Sequence, residues 1–225
     1  MIKTIYLAKR NPATTHEEFL RNWREHAALA GSFPAVGRNF LAVVQCKQIP
    51  GLDRPGLSTE FDGANLLSLT SLLDSLEVYD QPGIETLLRD ELRVFSGYVG
   101  ESSITVHESV LAEKPLGSVV LLEFVRRRPE IGVADFVKAW TGSYARTLTG
   151  SKVFAAAAGR YVHNHVILPT PPGYDYSGVS ETWFDSLDDA TAFLDGVDED
   201  PTLREPDGFE IGLRTLMDLN HAWFA

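Results

Sequence analysis

Two histidines and a tyrosine alternate in the segment RYVHNHVIL, residues 160–168. Side chains of a β-strand alternate between its two faces, so Tyr161, His163 and His165 share one face. Neutral imidazole titrates near working pH, and two imidazoles on one surface can divide the roles of general acid and general base. The Tyr161 hydroxyl can donate a hydrogen bond to a developing enolate or phenolate oxygen. We predict these three residues as catalytic; the alternative is a polar lining that only binds a ligand.

The composition of the chain excludes several classes of partner. It has 225 residues, 44% hydrophobic and 23% charged, which is typical of a globular protein with one large or two small domains. The formal net charge of −11 repels phosphate backbones and anionic lipid, so neither nucleic acid nor a membrane is an expected partner. Cys46 is the only cysteine, which rules out an internal disulfide and fits a reducing compartment. The amino-terminal segment MIKTIYLAKRNP turns polar too soon for a signal peptide, and we predict a cytoplasmic protein.

The sequence contains two copies of one pattern. IYLAKRNPATTHEEFLRNWREH near the start is matched by LLEFVRRRPEIGVADFVKAWTGS near the middle. In each copy an apolar strand leads through basic residues and a turn with proline into a helix that has Phe and Trp four residues apart. These pairs are Phe19 with Trp23 and Phe136 with Trp140, and their spacing places both rings on one helix face. The repetition predicts two domains, at 1–112 and 117–225, with a linker in AEKPLGS.

Each repeat has the element order β-α-β-β-α-β. We predict strands at about 2–8, 38–47, 62–69, 101–111, 118–126, 159–168, 178–185 and 213–222, with helices at about 15–29, 71–93, 132–147 and 187–212. Such a ferredoxin-like unit has an antiparallel sheet with both helices on one face, which leaves the other face apolar and uncovered. Two units can cover each other. The predicted fold class is therefore α+β, with tandem ferredoxin-like repeats forming a dimeric α/β-barrel within one chain and a cavity between the sheets.

The orientation of the histidine strand decides where this chemistry would take place. Val162 and Val166 are apolar and suit the helix-covered face, so we predict that Tyr161, His163 and His165 point into the space between the sheets. The matching strand of the first repeat would then face the same space with an apolar wall. A cavity with one apolar wall and one polar end suits an apolar or aromatic small molecule. The predicted wall residues are Phe40, Ala42, Val44 and Cys46.

Three segments give the chain a more specific resemblance. FLRNWREHAALA, GRYVHNHVI and SGVSETWFDSLDDATAFL resemble the EthD family, named for ethyl tert-butyl ether degradation, in the dimeric α/β-barrel superfamily. The second repeat has Ser143 where the first has His26, and the first repeat lacks the histidine strand. The superfamily includes cofactor-free monooxygenases, isomerases, cyclases, dehydratases and haem-using branches, so the resemblance implies a small-molecule enzyme and leaves its reaction open. The residues that match the family pattern are Phe19, Trp23, His26, Tyr161, Asn164, His165, Trp183, Phe184, Asp185 and Ser186.

Further side chains are candidates for ligand contact. A carboxylate inside an apolar strand, such as Glu123 or Glu181, is costly unless a partner neutralises it. We predict that an arginine pairs with Glu123, with Arg126, Arg127 and Arg160 as the candidates, and we leave Glu181 open. His26 also fits a structural role on the apolar helix face. The predicted substrate-binding residues are Asn164, Trp183, Glu181, His26, Tyr6, Phe40 and Tyr174, the last in a proline-rich candidate lid, PTPPGYDYSG.

The leading functional hypothesis is a cofactor-independent enzyme that performs acid–base chemistry of dehydratase, cyclase or other lyase type. Its substrate would be apolar and aromatic or polyketide-like. The alternatives are a monooxygenase or haem-using oxidoreductase, and a non-catalytic binder of a hydrophobic ligand. HNH at 163–165 supplies only two imidazoles on a strand, so we predict no metal site, and haem stays an alternative that would need an axial histidine in a large pocket. Because the repeats pair within one chain, a monomer suffices, although exposed sheet edges would allow a homodimer.

Overall fold

Eight strands form one closed antiparallel barrel in the computed structural model, which describes residues 1–204 and 206–224 apart from the side chains of residues 74 and 75. Their order around the barrel is β1-β3-β2-β8-β5-β7-β6-β4. The predicted fold class, two βαββαβ units joined as one α+β barrel, is confirmed. The strands are β1 Ile2–Ala8, β2 Phe40–Gln48, β3 Gly63–Leu69, β4 Ser103–Ala112, β5 Val119–Arg127, β6 Tyr161–Val166, β7 Gly178–Phe184 and β8 Phe209–Phe224.

Two seams join the repeats into this barrel. Strand β8 is 16 residues long and pairs with β5 along its first part and with β2 along its last part. Strand β4 pairs in the same way with β1 of its own repeat and with β6 of the other. Each of the eight described strands therefore has a neighbour on both sides, and the exposed edges predicted as a route to a homodimer are absent from this barrel. The repeat boundaries at 112 and 117 stay a prediction.

Helices cover the outside of the barrel. Helix α1 begins with a capping box, in which the Thr15 hydroxyl accepts from the Glu18 backbone N–H at 3.2 Å and the Glu18 carboxylate accepts from the Thr15 N–H at 2.8 Å. The helical segments predicted through 71–93 are two separate helices, and Gly83, with a φ of 82°, directly precedes the second. The helices are α1 His16–Gly31, α2 Pro34–Asn39, α3 Leu72–Tyr79, α4 Ile84–Val94, α5 Val133–Val137, α6 Ala145–Thr149, α7 Lys152–Ala157, α8 Leu187–Glu199 and α9 Pro201–Arg204, with a short 3₁₀ turn at Val99–Glu101.

The last predicted helix, 187–212, is shorter than expected. The predicted range contains two helices, α8 and the short α9, and the second of them ends at Arg204. Strand β8 begins at Phe209, four residues before the predicted start. The helix predicted at 132–147 is present, but a π-helical segment, Lys138–Tyr144, lies between α5 and α6. A π-helix is wider than an α-helix, and such insertions are frequent at functional sites.

Apolar side chains fill both faces of the sheet. One cluster lies inside the barrel and the others lie between the sheet and the helices. The interior cluster contains Ile5, Leu7, Val44, Cys46, Phe61, Ala64, Leu66, Ile104, Val106, Val120, Leu122, Phe124, Val179, Trp183 and Met217. The helix side is occupied by Tyr6, Phe19, Trp23 and Phe95 in the first repeat, and by Phe136, Trp140, Tyr144, Phe154, Tyr161, Phe193 and Phe209, among others, in the second.

The two repeats use the same contact to hold their first long helix on the sheet. Phe19 stacks on Trp23 with ring centroids 5.2 Å apart, and the corresponding pair in the second repeat stacks at 5.4 Å. Each tryptophan ring lies directly on a glycine at the start of a strand. A Cβ atom added to Gly63 would lie 2.6 Å from the Trp23 ring, and one added to Gly178 would lie 2.3 Å from the Trp140 ring. Only glycine allows the indole to approach the strand this closely.

The predicted orientation of the histidine strand is wrong. Tyr161 packs among the helix-side residues, whereas Val179 and Trp183 of the neighbouring strand face the barrel interior. Apolar neighbours could not reveal this, because the interior of a closed barrel is as apolar as the layer under the helices.

The predicted match between the two repeats, which placed Val44 opposite the position of His165, was displaced by three residues. In the observed register Lys47 pairs with Gly63, and His165 pairs with Gly178, so Lys47 and His165 are equivalent positions. By the same register His163 corresponds to Gln45. A shift by an odd number of residues reverses every side chain on a strand, and the predicted apolar wall therefore lies on the other face of the sheet from the histidines.

Candidate active site and barrel cavity

A hydrogen-bonded chain links the three predicted catalytic residues on the helix side of β6. The Tyr161 hydroxyl lies 2.6 Å from Nε2 of His163, and Nδ1 of His163 lies 3.3 Å from Oγ1 of Thr141. The same Thr141 oxygen lies 3.2 Å from Nε2 of His165. Tyr161 and His163 are fully buried, and His165 is half-buried. The structure thus brings the predicted trio together through a threonine on the π-helix that the sequence analysis did not identify.

The direction of these hydrogen bonds follows from the burial of Tyr161. A buried hydroxyl needs an acceptor, so Tyr161 donates to Nε2 of His163. A neutral imidazole has one N–H, which then lies on Nδ1 of His163 and donates to Thr141. The Thr141 hydroxyl in turn donates to Nε2 of His165. The remaining donor of the chain is the Nδ1–H of His165, at its half-buried end.

Burial keeps every member of the chain uncharged. It lowers the pKa of His163 well below the usual histidine value, and the nearby His165 lowers it further. The pKa of His165 is also lowered, first by burial and then by His107. Burial raises the pKa of the Tyr161 hydroxyl well above its ordinary range. At neutral pH the chain is therefore a phenol and two neutral imidazoles, which is the condition for the directed pattern of N–H and O–H donors.

Trp140 encloses the inner part of the chain. Its ring stacks on His163 with centroids 3.8 Å apart and an angle of 11° between the planes, and it meets His165 edge to face at 5.1 Å. The next residue on the π-helix is Thr141, which places its hydroxyl between the two imidazoles. The π-helical segment thus supplies both the ring that stacks on His163 and the hydroxyl that connects the two imidazoles. Only the His165 end of the chain is accessible from outside.

His107 lies beside this accessible end. In the β4–β6 pairing His107 is directly opposite His165, and residues opposite each other share a face with Cβ atoms about 4.5–5.5 Å apart. His107 is exposed. His107 was not predicted as a site residue, and its one signal in the sequence was its position near the middle of a predicted strand. Two imidazoles thus lie next to each other at the surface of the helix side.

Glu123 is paired, as predicted, but with a different arginine. Its Oε1 accepts from Nε of Arg214 at 2.8 Å, and its Oε2 accepts from the Ser180 hydroxyl at 3.1 Å. Glu123 and Arg214 lie opposite each other in the β5–β8 register, which the sequence did not reveal. Of the three predicted partners, Arg126 pairs with Asp175 and Arg160 pairs with Glu113.

Glu181 lies inside the barrel and belongs to a second polar cluster. Its Oε1 accepts from Nζ of Lys3 at 2.7 Å and from Nδ2 of Asn164 at 2.8 Å, and its Oε2 accepts from Nε1 of Trp183 at 3.0 Å. Lys3 also forms an ion pair with Glu108. Burial alone would raise the pKa of Glu181, but Lys3 and the two other donors hold it below the usual value. The predicted ligand residues Asn164, Trp183 and Glu181 are therefore together, on the face of the sheet opposite the histidines.

This cluster forms one wall of a cavity of about 590 Å³ at one end of the barrel. The cavity lies inside the barrel, between strands of the two repeats, as predicted, and Val44 and Ala42 of the predicted apolar wall contribute to it. None of the six histidines, all within the described part of the chain, is among its lining residues. The lining consists of Met1, Lys3, Leu41, Ala42, Val44, Leu66, Ser68, Glu108, Glu113, Lys114, Pro115, Leu116, Arg160, Glu181, Trp183 and Phe224.

The other predicted ligand residues lie elsewhere. His26 is nearly buried between α1 and α4, with Nδ1 at 2.9 Å from a carboxylate oxygen of Asp90, which is the structural arrangement considered as its alternative. Phe40 is half-buried at the start of β2 and does not line the cavity. Tyr6 and Tyr174 line a separate pocket of about 230 Å³. The predicted ligand contacts are thus divided among several places in the fold.

No family model and no curated protein matches the sequence. Solved structures match the fold over almost the whole chain. An anthrone oxidase-like protein is 13% identical with a TM-score of 0.62, covering 100% of this chain and 92% of its own. A mutant chlorite dismutase from Candidatus Nitrospira defluvii is 10% identical with a TM-score of 0.57, covering 98% and 91%. A monooxygenase candidate from Lactobacillus acidophilus NCFM is 11% identical with a TM-score of 0.55, covering 99% and 95%.

These similarities support the fold of the chain, a dimeric α/β-barrel built from two ferredoxin-like units. The EthD family in particular is not shown, and at such low identity the neighbours establish the fold alone. Within the described residues, no helix is long and apolar enough to cross a membrane. The same residues contain no group of three or more His, Cys, Asp or Glu placed to hold a metal ion.

Proposed function

We propose that the protein is a cofactor-independent enzyme that performs acid–base chemistry on an apolar small molecule at the outer end of the Tyr161–His165 chain. The observation that supports this proposal is the continuous hydrogen-bonded chain itself, which fixes the protonated nitrogen of each imidazole. His165 then presents a neutral N–H donor to a bound molecule. A neutral imidazole in this role stabilises a carbonyl oxygen as it becomes an enolate.

The neighbouring His107 supplies the second half of the chemistry. Its exposed imidazole takes a proton from the carbon beside the carbonyl, while the N–H of His165 stabilises the oxygen. This pair of steps is common to isomerisation, dehydration and cyclisation of carbonyl compounds. His163 and Tyr161 are enclosed, so we assign them as positioning residues that hold His165 in one tautomer. The Trp140 ring, which is 1% exposed, keeps water away from the inner imidazole.

Haem does not fit the donors of this chain as they are arranged. An axial ligand needs a free imidazole nitrogen, but both nitrogens of His163 are hydrogen-bonded and its ring is covered by Trp140. Nε2 of His165 is occupied by Thr141, and Nδ1 of the same ring carries the proton in the chain described above, so it has no free electron pair. The proposed chemistry therefore uses only side chains of the protein. A Soret band after incubation with haemin, lost in a His165→Gln variant, would contradict this part of the proposal.

The experiment that tests the proposal can be performed before the substrate has been identified. Purified protein is incubated with the small-molecule extract of its own host, and mass spectrometry follows which compounds disappear and which appear. We expect one apolar compound to be converted into an isomer or a dehydrated product. His165→Gln and His107→Gln should each lose this conversion by at least tenfold. His221→Gln, which removes an exposed histidine from β8, is the matched control and should convert at the wild-type rate.

Three results would contradict the proposal. Conversion by His165→Gln at the wild-type rate would remove that residue from the chemistry. If no compound is converted but one compound stays bound to the protein, the result would favour a non-catalytic binding protein. Consumption of dissolved oxygen in proportion to product would favour oxidation, the activity in the names of two of the structural neighbours.

A further inference from the structure

The cluster inside the barrel contains charges that the fold does not require. The side chains of Lys3, Glu108 and Glu181 are 8%, 9% and 2% exposed. Removing charges from water is costly, and a protein with apolar residues of similar size in such places is often equally stable or more stable. The equivalents of Lys3 and Glu181 in the other repeat, by the strand register, are Val120 and Leu66. The same barrel therefore contains apolar residues at the positions equivalent to these two charges.

The hydrogen bonds of the cluster are incomplete on one side. Both oxygens of Glu181 are occupied, by Lys3 and Asn164 on Oε1 and by Trp183 on Oε2. The Glu108 side chain is bound only through Oε2, by Lys3, among the contacts of the described residues. Its Oε1 is a hydrogen-bond acceptor on the cavity wall that none of these contacts occupies.

The charge of the cluster selects the kind of group that this acceptor can receive. Within the buried cluster, two carboxylates and one ammonium leave one excess negative charge. The other charges of the lining lie nearer to water, since Glu113 pairs with Arg160 at the rim and Lys114 is exposed. A hydrogen-bond donor is therefore attracted and an anion is repelled, more strongly than at the surface because the site is mostly shielded from water.

The rest of the cavity is suited to an apolar body. Its apolar lining includes Leu41, Val44 and Leu66, and Met1 and Phe224, which also line it, are 51% and 60% exposed. The linker between the repeats passes over the same rim, where Glu113 pairs with Arg160. A volume of about 590 Å³ lies within the range of small-molecule sites.

We propose that this barrel cavity binds a small molecule with an apolar body and one hydrogen-bond-donating end, a hydroxyl or an amine, which donates to Glu108. The site is separate from the histidine chain, since the two lie on opposite faces of β6. It does not depend on the proposed acid–base function.

Three probes with one naphthalene ring test the proposal by isothermal titration calorimetry. They are naphthalen-2-ylmethanol, naphthalen-2-ylmethylamine and 2-naphthoate, which differ only in the polar end. We expect the alcohol and the amine to bind and the carboxylate to bind at least tenfold more weakly than either. Glu108→Gln keeps an acceptor but removes the charge, so it should weaken the amine by about tenfold and leave the alcohol within about threefold.

Variants that fill the cavity locate the bound probe. Leu66→Trp should abolish binding of both donors, and Leu73→Trp, which adds the same ring at a position 74% exposed on α3, should leave it unchanged. If Leu66→Trp does not fold, Ala42→Phe blocks the same cavity nearer its rim. His165→Gln should bind the probes like the wild type, which separates this site from the proposed active site. Equal binding of 2-naphthoate, binding that survives both blocking variants, or no binding of any probe would overturn the proposal.

Discussion

Trp140 stacks face to face on His163, with ring centroids 3.8 Å apart and planes 11° from parallel. The indole excludes water from the imidazole, and this burial is the main cause of the low pKa of His163. The protonation state of the hydrogen-bonded chain therefore depends on one aromatic side chain of the π-helix.

Replacing this indole should return His163 toward ordinary behaviour. We expect Trp140→Leu to raise the pKa of His163 toward about 6.5, the value of an unperturbed histidine, because water gains access to the ring. Imidazole nitrogen shifts followed by NMR as a function of pH measure this directly. Trp23→Leu, the same change in the first repeat, is the control and should leave His163 unaffected. An unchanged His163 pKa in Trp140→Leu would show that the stacking is not the cause.

Buried neutral histidines should make the protein sensitive to mild acid. The pKa of His163 is lowered in the folded state, so below about pH 6.5 the unfolded chain binds a proton that the folded chain does not. Stability is therefore complete above that pH and decreases as the pH falls toward the folded pKa. His163→Gln should lose part of this slope in urea unfolding measured between about pH 7 and 5, a range that spans the ordinary histidine value. His221→Gln should keep the full slope, and an identical slope in both variants would contradict the assignment.

The Glu123–Arg214 pair should contribute strongly to stability as a pair. Glu123→Gln leaves the largely buried Arg214 with only the longer contact to Asp198, at 3.9 Å, and breaking a buried pair typically costs about 3–5 kcal/mol. Asp175→Asn breaks the pair with Arg126, whose side chains are 75% and 30% exposed, and should cost at most about 1 kcal/mol. Chemical unfolding of both variants measures the difference. Equal costs would mean that the Glu123 pair is as well solvated as the surface pair.

Gly178 should not tolerate a methyl group. A Cβ atom there would lie 2.3 Å from the Trp140 ring, so Gly178→Ala must displace the indole and the π-helix, at a cost of about 1–3 kcal/mol. The displacement should also change the NMR signals of His163, which lies under the same ring. Gly37→Ala in α2 adds its methyl group to open space and should be neutral or slightly stabilising. Wild-type stability and His163 signals in Gly178→Ala would refute the close approach.

The fold was predictable because its signals are local and repeated. Phe19 with Trp23 and Phe136 with Trp140 marked the same helix twice, and the strands around them followed from alternation. The π-helix at Lys138–Tyr144 was not predictable, because KAWTGSY gives no local signal that distinguishes it from an ordinary α-helix. Its position decides that Thr141, rather than a residue one position away, bridges the imidazoles.

The site was only partly predictable, because its contacts depend on the strand register. Lys3 and Glu181 are 178 positions apart in the sequence and meet only when β1, β4, β6 and β7 are adjacent in the barrel. The orientation of β6 was assigned from its valines, and this failed because both of its faces are buried. Glu123 was expected to have an arginine partner on grounds of charge, and the partner depended on the β5–β8 pairing.

The covalent connection of the two repeats removes the twofold symmetry that a pair of separate, identical subunits would impose. In a symmetric dimer every residue occurs at both equivalent positions, so a lysine at the position of Lys3 would have a second copy at the position of Val120. A glutamate at the position of Glu181 would likewise be repeated at that of Leu66. One chain instead places the ammonium in one repeat and the carboxylate in the other. The barrel thereby has a polar end and an apolar side, and a molecule inside it has a single preferred direction.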